Sequence, residues 1–300
     1  MIRRFGLIGA VVVLSTFSHC GILRGEELTI VYTANSSGKL TDCNCPTDPY
    51  GGLAERVTLI KDLRVLIEPF LLVDSGNMVS LFGDYDGKAA CVMRLMNLMK
   101  YDAGGFGINE LFNGLTSAEK MSAAADFPLI SAVFALSGQT TSAFKPYAIT
   151  EIGGITAGIV SVCDSISQTR LGNPRVDDYR ILLAEDALRP MLTELSHRCD
   201  FTIVLSELSS DQNRALIEQF PAIDLVVEGY GNRKYVTPET TQHGIIVSPG
   251  NRGQFVGLIT LEKTGTGTRS VKYHEFIPVL DIPADEDALK IIAEYEKSAY

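Results

Sequence analysis

Apolar runs rich in β-branched and aliphatic residues recur along the chain at 27–34, 69–74, 128–133, 155–162, 200–206 and 223–228. Between several of them the apolar positions return at helical spacing, as Leu53, Val57 and Ile60 do within 51–65. Strand-like runs alternating with helical ones predict an α/β architecture. From about 244 the pattern changes. "GIIVSPG", "GQFVGLITLEK" and "SVKYHEFIPV" are strand-like and separated by Gly, Asn and Thr turns, which predicts hairpins. The Met and Leu positions of "CVMRLMNLMK", on a helix over 87–99, are expected in the core. The last stretch, Asp285 to Tyr300, predicts a solvent-facing helix with Leu289, Ile292 and Tyr295 inward. No linker rich in Pro, Gly or Ser and no repeat divides the chain, so a single domain over 27–300 is expected.

The first twenty residues change the picture of where the protein works. Arg3 and Arg4 precede an apolar run from Phe5 to Leu14, followed by small and polar residues, the order of an export signal. That run is too short to span a bilayer as a helix. Cys20 stands where a lipid-modified cysteine would stand, although "FSHC" places Phe17 and His19 where lipoprotein signals carry an aliphatic and a small residue. Both simple cleavage near residue 20 and a membrane tether through Cys20 follow from this segment. The expected location is the periplasm, the outer side of the inner membrane or the cell surface. With 26 basic and 36 acidic residues the formal charge is −10, the wrong sign for nucleic acid or an anionic membrane surface. The 46% hydrophobic content of 300 residues supports a sizeable core.

In an α/β sheet the loops at the carboxyl ends of the strands build the site. Here they read "TANSSG" (33–38), "DSGN" (74–77), "GINE" (107–110), "LSELS" (205–209) and "EGYGN" (228–232). Together with "GGLAERVTLIKDLR" (51–64), "LLVDSG" (71–76), "FPLISA" (127–132), "KPYAITEIGGITAGIVSV" (145–162), "IDLVVEG" (223–229) and "GQFVGLITLE" (253–262), their order resembles the catalytic domain of the secreted 5′-nucleotidases, within the calcineurin-like metallophosphoesterases. The resemblance covers about residues 27–280. It implies a four-layer α/β/β/α sandwich of two mixed sheets and five strand-end motifs, D-x-H, G-D, G-N-H-E, a strand-end H and G-H-x-H, holding two metal ions. Such a pair of cations activates a water and clamps phosphoryl oxygens, and it needs a bridging carboxylate and neutral imidazoles.

At those positions this chain has Asn35 and Ser37 for D-x-H, Asn77 for the bridging aspartate, and Ile108 and Asn109 for the Asn and His of G-N-H-E. Glu207 replaces the strand-end His, and Tyr230 and Asn232 replace the pair of G-H-x-H. Gly107 and Glu110 alone keep the third motif. Asn keeps the shape of Asp without its charge, and an amide cannot bridge two cations as a carboxylate does. Outside the leader the histidines are His197, His243 and His274, and none falls at a strand-end turn of the first sheet. Asp74 matches a position that does not ligate in the family; it is expected to hydrogen-bond the turn. The expectation is therefore a catalytically inactive relative with a binding or assembly role and no cofactor. Asn35, Ser37, Asn77, Asn109, Glu110, Glu207, Tyr230 and Asn232 are the candidate cleft, suited to a small polar ligand or a partner protein. The family's separate carboxyl-terminal substrate domain is not expected in a chain ending at Tyr300.

Two alternatives stay open. One is a phosphoester hydrolase with a rebuilt site, a single divalent metal held by Glu207 and Glu110, or by a cluster of Cys43, Cys45, Cys163 and Glu207. The other is a thiol redox or metal-binding protein working through Cys43 and Cys45. Those two cysteines, in "DCNCPTDPYGG" (42–52), are too close in sequence to bond each other easily, so each wants another partner. Cys91, Cys163 and Cys199 are the remaining thiols, and a structural disulfide is expected among the five. The C-x-C-P loop also resembles a subgroup found beside multihaem cytochromes. With no C-x-x-C-H haem site in this chain, a redox partner would be a separate protein.

Overall fold

The computed structural model describes residues 26–42, 49–81, 85–164, 179–231, 234–264 and 267–299. Cys20, Cys43, Cys45, Asn232 and the turn 172–178 lie outside the described residues, as does the leader.

Two six-stranded mixed sheets form the middle of the molecule. In the first, strands β1 (Glu26–Thr33), β2 (Leu71–Asp74), β3 (Ala103–Gly105) and β4 (Leu129–Ile130) run parallel, and β13 (Phe255–Lys263) and β14 (Arg269–Pro278) extend it antiparallel beyond β1, giving the order β14-β13-β1-β2-β3-β4. The second sheet contains β6 (Tyr147–Ile152), β7 (Ile155–Cys163), β9 (Phe201–Glu207), β10 (Leu225–Glu228), β11 (Glu239–Thr240) and β12 (Ile245–Val247), in the order β11-β12-β10-β9-β7-β6. A small ribbon pairs β5 (Phe134–Leu136) with β8 (Tyr179–Ile181).

Strand periodicity shows why the sheets stack. Ile30, Tyr32, Leu71, Val73, Ile203, Leu205, Leu225, Val227 and Ile259 share one parity, and they form a dry layer between the sheets. The intervening Val31, Leu72, Val204 and Val226 face outward into a second core under the helices. Strands covered on both faces read as unbroken apolar runs, which is why the pattern of 223–228 does not alternate. Helices α1 (Leu53–Ile67), α2 (Tyr85–Met99), α4 (Leu115–Ala124) and α7 (Glu286–Ala299) cluster together, α2 packing on the other three, and their buried faces join the core on the outer side of the first sheet. Helices α5 (Ala184–Arg198) and α6 (Ser210–Gln219) pack on β7, β9 and β10 of the second. The result is the four-layer α/β/β/α sandwich. A four-residue turn of helix, α3 (Ile108–Leu111), follows β3. At one end Asp224, fully buried, joins the sheets by accepting from Arg269 Nε at 2.5 Å and from the Thr202 amide at 2.7 Å, with Lys263 Nζ at 3.2 Å.

Several expectations need correction in detail. The run 128–133 keeps only two residues in the sheet before it turns away into β5. "GIIVSPG" is not a hairpin arm with its successors, because β12 pairs parallel with β10 in the other sheet. In α7 Ala288 and Ile292 are buried and Tyr295 packs beside them, whereas Leu289 is 43% exposed. Ile292 and Tyr295 thus face inward as expected, and Ala288 takes the place expected of Leu289. Met93, Leu95, Met96 and Met99 are in the core as expected.

Candidate functional site

The carboxyl ends of β1, β2, β9 and β10 converge at one pole of the sandwich. Ser75, immediately after β2, links the layers there, donating to Val227 O at 2.6 Å and accepting from Ser206 N at 2.9 Å. The turns above it require unusual backbone. Asn35, Ser37 and Asn77 have φ of 52°, 49° and 55°, with Gly38 and Gly76 also positive. The left-handed region disfavours most side chains and tolerates Asn, so backbone shape as well as chemistry bears on the residue at 35 and 77.

Asn77 is the hub. Its Nδ2 donates to Asn35 Oδ1 at 3.0 Å and to the Glu207 carboxyl, and its Oδ1 accepts from Asn109 N at 3.1 Å. Asn35, nearly buried, points its Nδ2 at three backbone carbonyls, Gly229, Gly231 and Gly250. Asn109 Nδ2 closes the circuit on Val79 O at 2.8 Å. Four residues singled out from the strand ends, Asn35, Asn77, Asn109 and Glu207, are thus joined in one hydrogen-bonded network. Ser37 contributes only backbone, its amide donating to Asn77 O, while its side chain faces solvent. Ile108 begins α3, and Tyr230 sits on the rim, 38% exposed.

Two buried carboxyl groups differ in how they are used. Glu110 accepts from the backbone amides of Asn77 (2.9 Å), Gly107 (2.8 Å) and Val79 (3.1 Å), so it ties the β2 turn to α3. Burial pushes its pKa up to about 7 against those hydrogen bonds. Glu207 lies opposite Cys163 in the β7–β9 register. Its Oε1 meets no hydrogen-bond partner among the described residues and is so close to Gly229 that an added Cβ there would stand 2.2 Å away. Burial, reinforced by the negative charge of Glu110, holds the Glu207 carboxyl well above the usual carboxylate range.

Asp74 behaves as a turn residue. It is fully buried and accepts from Thr33 Oγ1 at 2.6 Å and Gly76 N at 2.9 Å. Burial raises its pKa and the nearby Arg56 guanidinium opposes that shift. Arg56, on the inner face of α1, is wholly buried, and none of its guanidinium nitrogens finds a hydrogen-bond partner among the described residues. Sequence reading missed both Arg56 and Ser75. A charged residue amid the apolar positions of 51–65 was the available signal for the first; nothing marks Ser75.

Among the described residues no group of three or more His, Cys, Asp or Glu side chains could hold a metal ion. Cys91, Cys163 and Cys199 are free thiols. Burial raises all three pKa values, that of Cys91 to about 11. His197 lies in the last turn of α5, His243 in the turn before β12, and His274 on β14, where its Nε2 is 2.8 Å from Tyr32 OH. Beside the network opens a depression of about 270 Å³ lined by Lys234, Gly250, Asn251, Gln254 and Phe255. Lys234 Nζ stands 4.1 Å above the Phe255 ring.

No protein-family model matches the chain. Among curated proteins it is 32% identical over 152 residues to the snake venom 5′-nucleotidase of Crotalus adamanteus, a stretch covering 45% of this chain and 25% of that protein. It is 28% identical over 225 residues to the 5′-nucleotidase of Homo sapiens, covering 69% of this chain and 38% of that one. The chain therefore spans well under half the length of these relatives. Among solved structures it superposes on the calcineurin-like phosphoesterase YfkN of Bacillus subtilis with a TM-score of 0.75 at 18% identity, covering 92% of this chain and 98% of that one. No helix among the described residues is long and apolar enough to cross a membrane. The described residues form a 5′-nucleotidase-like metallophosphoesterase domain.

Proposed function

We propose that this is an exported, catalytically silent 5′-nucleotidase-like protein whose strand-end pole serves binding or assembly rather than phosphoester hydrolysis. The observation that carries this reading is where the two amide nitrogens point. Asn35 Nδ2 faces three carbonyl oxygens, and Asn77 Nδ2 faces Asn35 Oδ1 and Glu207. Each supplies N–H donors to a group of oxygens that, in a metal centre, would surround a cation. The residues do not fit a two-metal site: Glu110 is engaged by three backbone amides, Glu207 accepts from the Asn77 amide, and no imidazole stands nearby among the described residues. Export is supported by Arg3, Arg4 and the apolar run Phe5–Leu14. The depression beside the network, with a cation over an aromatic ring, suits a small polar ligand bearing a negative charge, and the rim residue Tyr230 suits a partner surface.

The test is elemental analysis of purified protein together with phosphatase assays on AMP and p-nitrophenyl phosphate in excess Mn²⁺ or Zn²⁺. The expected outcome is no stoichiometric metal and no hydrolysis above the uncatalysed rate. One observation favours the rival, a hydrolase with a rebuilt single-metal site: the unpartnered Glu207 Oε1. Activity that a chelator abolishes and Glu207→Gln removes would establish that rival and overturn the proposal.

A further inference from the structure

Three large aliphatic side chains at the end of α1 stand in solvent: Val65 is 86% exposed, Leu66 75% and Ile67 36%. Topology fixes their position relative to the rest. Helix α1 starts beside the site, where Leu53 N donates to Lys39 O, and runs antiparallel to β1 and β2 to the opposite pole. That pole is also where the chain enters the fold. Strand β1 begins at Glu26, and Ile30 is level with Leu71, the first residue of β2. Four residues of β1 therefore project past that level, about 13 Å at the usual strand rise. Upstream of Glu26 the sequence carries Arg3, Arg4 and the apolar run Phe5–Leu14. The chain thus enters the fold at the same end of the molecule as the exposed apolar tripeptide, away from the candidate site.

We infer that this pole, through Val65, Leu66 and Ile67, rests against a lipid bilayer, which leaves the strand-end site facing outward from the membrane. A tether through Cys20 would leave the five residues 21–25 before β1, at most about 18 Å when extended, which holds this pole at the membrane surface. The contact is apolar rather than electrostatic. At this pole Arg64 pairs with Glu68 and Lys272 with Glu27; Lys100, whose carbonyl accepts from Arg64, is exposed there, but the chain's formal charge of −10 opposes anionic headgroups. Binding should therefore favour zwitterionic vesicles and persist in salt.

The chain has no tryptophan, so a single one reports its own surroundings. Leu66→Trp is made in the full chain, with Val236→Trp as the control. Val236 is 71% exposed and lies at the site pole, beside the Tyr235 N to Ser248 O bond that follows β12. With phosphatidylcholine vesicles, the Leu66→Trp emission should shift to the blue and be quenched by brominated acyl chains, while Val236→Trp does neither. Replacing Val65, Leu66 and Ile67 together by Ser should lower vesicle partitioning of the full chain at least tenfold with an unchanged far-UV circular dichroism spectrum. Three results would each overturn the inference: no vesicle binding, binding without quenching at Leu66→Trp, or an emission already blue-shifted without lipid and unmoved by it. The last would mean that the leader or a second copy covers the patch.

Discussion

Asn77→Asp is the sharpest perturbation of the site, since it changes one atom type and restores the residue the family resemblance implies. The Asn77 amide donates to Asn35 Oδ1 and to Glu207, both buried. A carboxylate supplies neither donor. Orphaning a buried acceptor costs about 1–3 kcal/mol, so two acceptors set an initial loss of about 2–6 kcal/mol, partly recovered if the Glu207 carboxyl donates its proton to the introduced carboxylate. The second consequence is electrostatic. Two carboxylates about 4 Å apart at an effective dielectric near 20 would repel by about 4 kcal/mol, so the pair should retain protons instead.

The sign follows from linkage. A carboxyl whose folded pKa exceeds its unfolded value contributes stability at low pH and loses it as pH rises through the folded pKa. Relative to wild type, Asn77→Asp should therefore fall in stability with rising pH by up to about 1.4 kcal/mol per unit for each additional proton the native pair holds. Urea unfolding of both proteins at pH 5, 6, 7 and 8 measures this directly. Equal stability of variant and wild type at all four values would show that the amide hub carries no structural load, and with it would go the argument that amide nitrogens stand in for cations.

Three further outcomes are expected. Glu110, with a folded pKa of about 7 against an ordinary 4.5, favours the folded state at low pH and withdraws about 3 kcal/mol as pH rises between those values. Glu110→Gln should flatten that part of the stability profile while lowering the plateau at pH 4.5 by about 1–3 kcal/mol, because one of three backbone donors loses its acceptor. Arg56→Met removes the cation opposing the burial of Asp74, so denaturation should show a loss larger at pH 8 than at pH 5, and adding Asp74→Asn should restore part of it; a double variant no more stable than Arg56→Met would refute the coupling. Arg269→Ala leaves buried Asp224 to Lys263 and the Thr202 amide, and thermal or urea unfolding should register about 2–3 kcal/mol, below the loss for a wholly unpaired buried charge.

How much of this was legible in the sequence depends on the range of the interaction. Strand runs such as 200–206 and 223–228 were readable because a strand buried on both faces leaves an uninterrupted apolar record, and β9 and β10 follow it within two residues. The partner of a strand leaves no such record. "GIIVSPG" has the same composition whether it pairs with the strands that follow it or, as β12 does, lies between β11 just before it and the parallel β10 more than fifteen residues upstream. The one misplaced position in α7 has a similar cause: Ala288 and Leu289 both suit a core, and only the facing surfaces of α1 and α2 decide between them.

The site shows the same division more sharply. That Asn35, Asn77, Asn109 and Glu207 would meet followed from reading strand ends in order, because parallel strands deliver their carboxyl ends to one pole. Neither the positive φ at 35, 37 and 77 nor the carbonyls of Gly229, Gly231 and Gly250 could be read that way, since each is set by turns that distant segments fold into place. Yet those two features are what give the asparagines their meaning. An Asn in a left-handed turn needs no function to explain it. Here the turn at 35 aims the side-chain nitrogen into a group of oxygens contributed by the 229–231 and 250 turns, and the one at 77 aims its nitrogen at the buried Glu207 carboxyl on the other sheet. Backbone preference alone would leave those nitrogens directed anywhere. Their convergence on oxygen-rich positions depends on how the surrounding turns are arranged, including residues with no side-chain chemistry of their own.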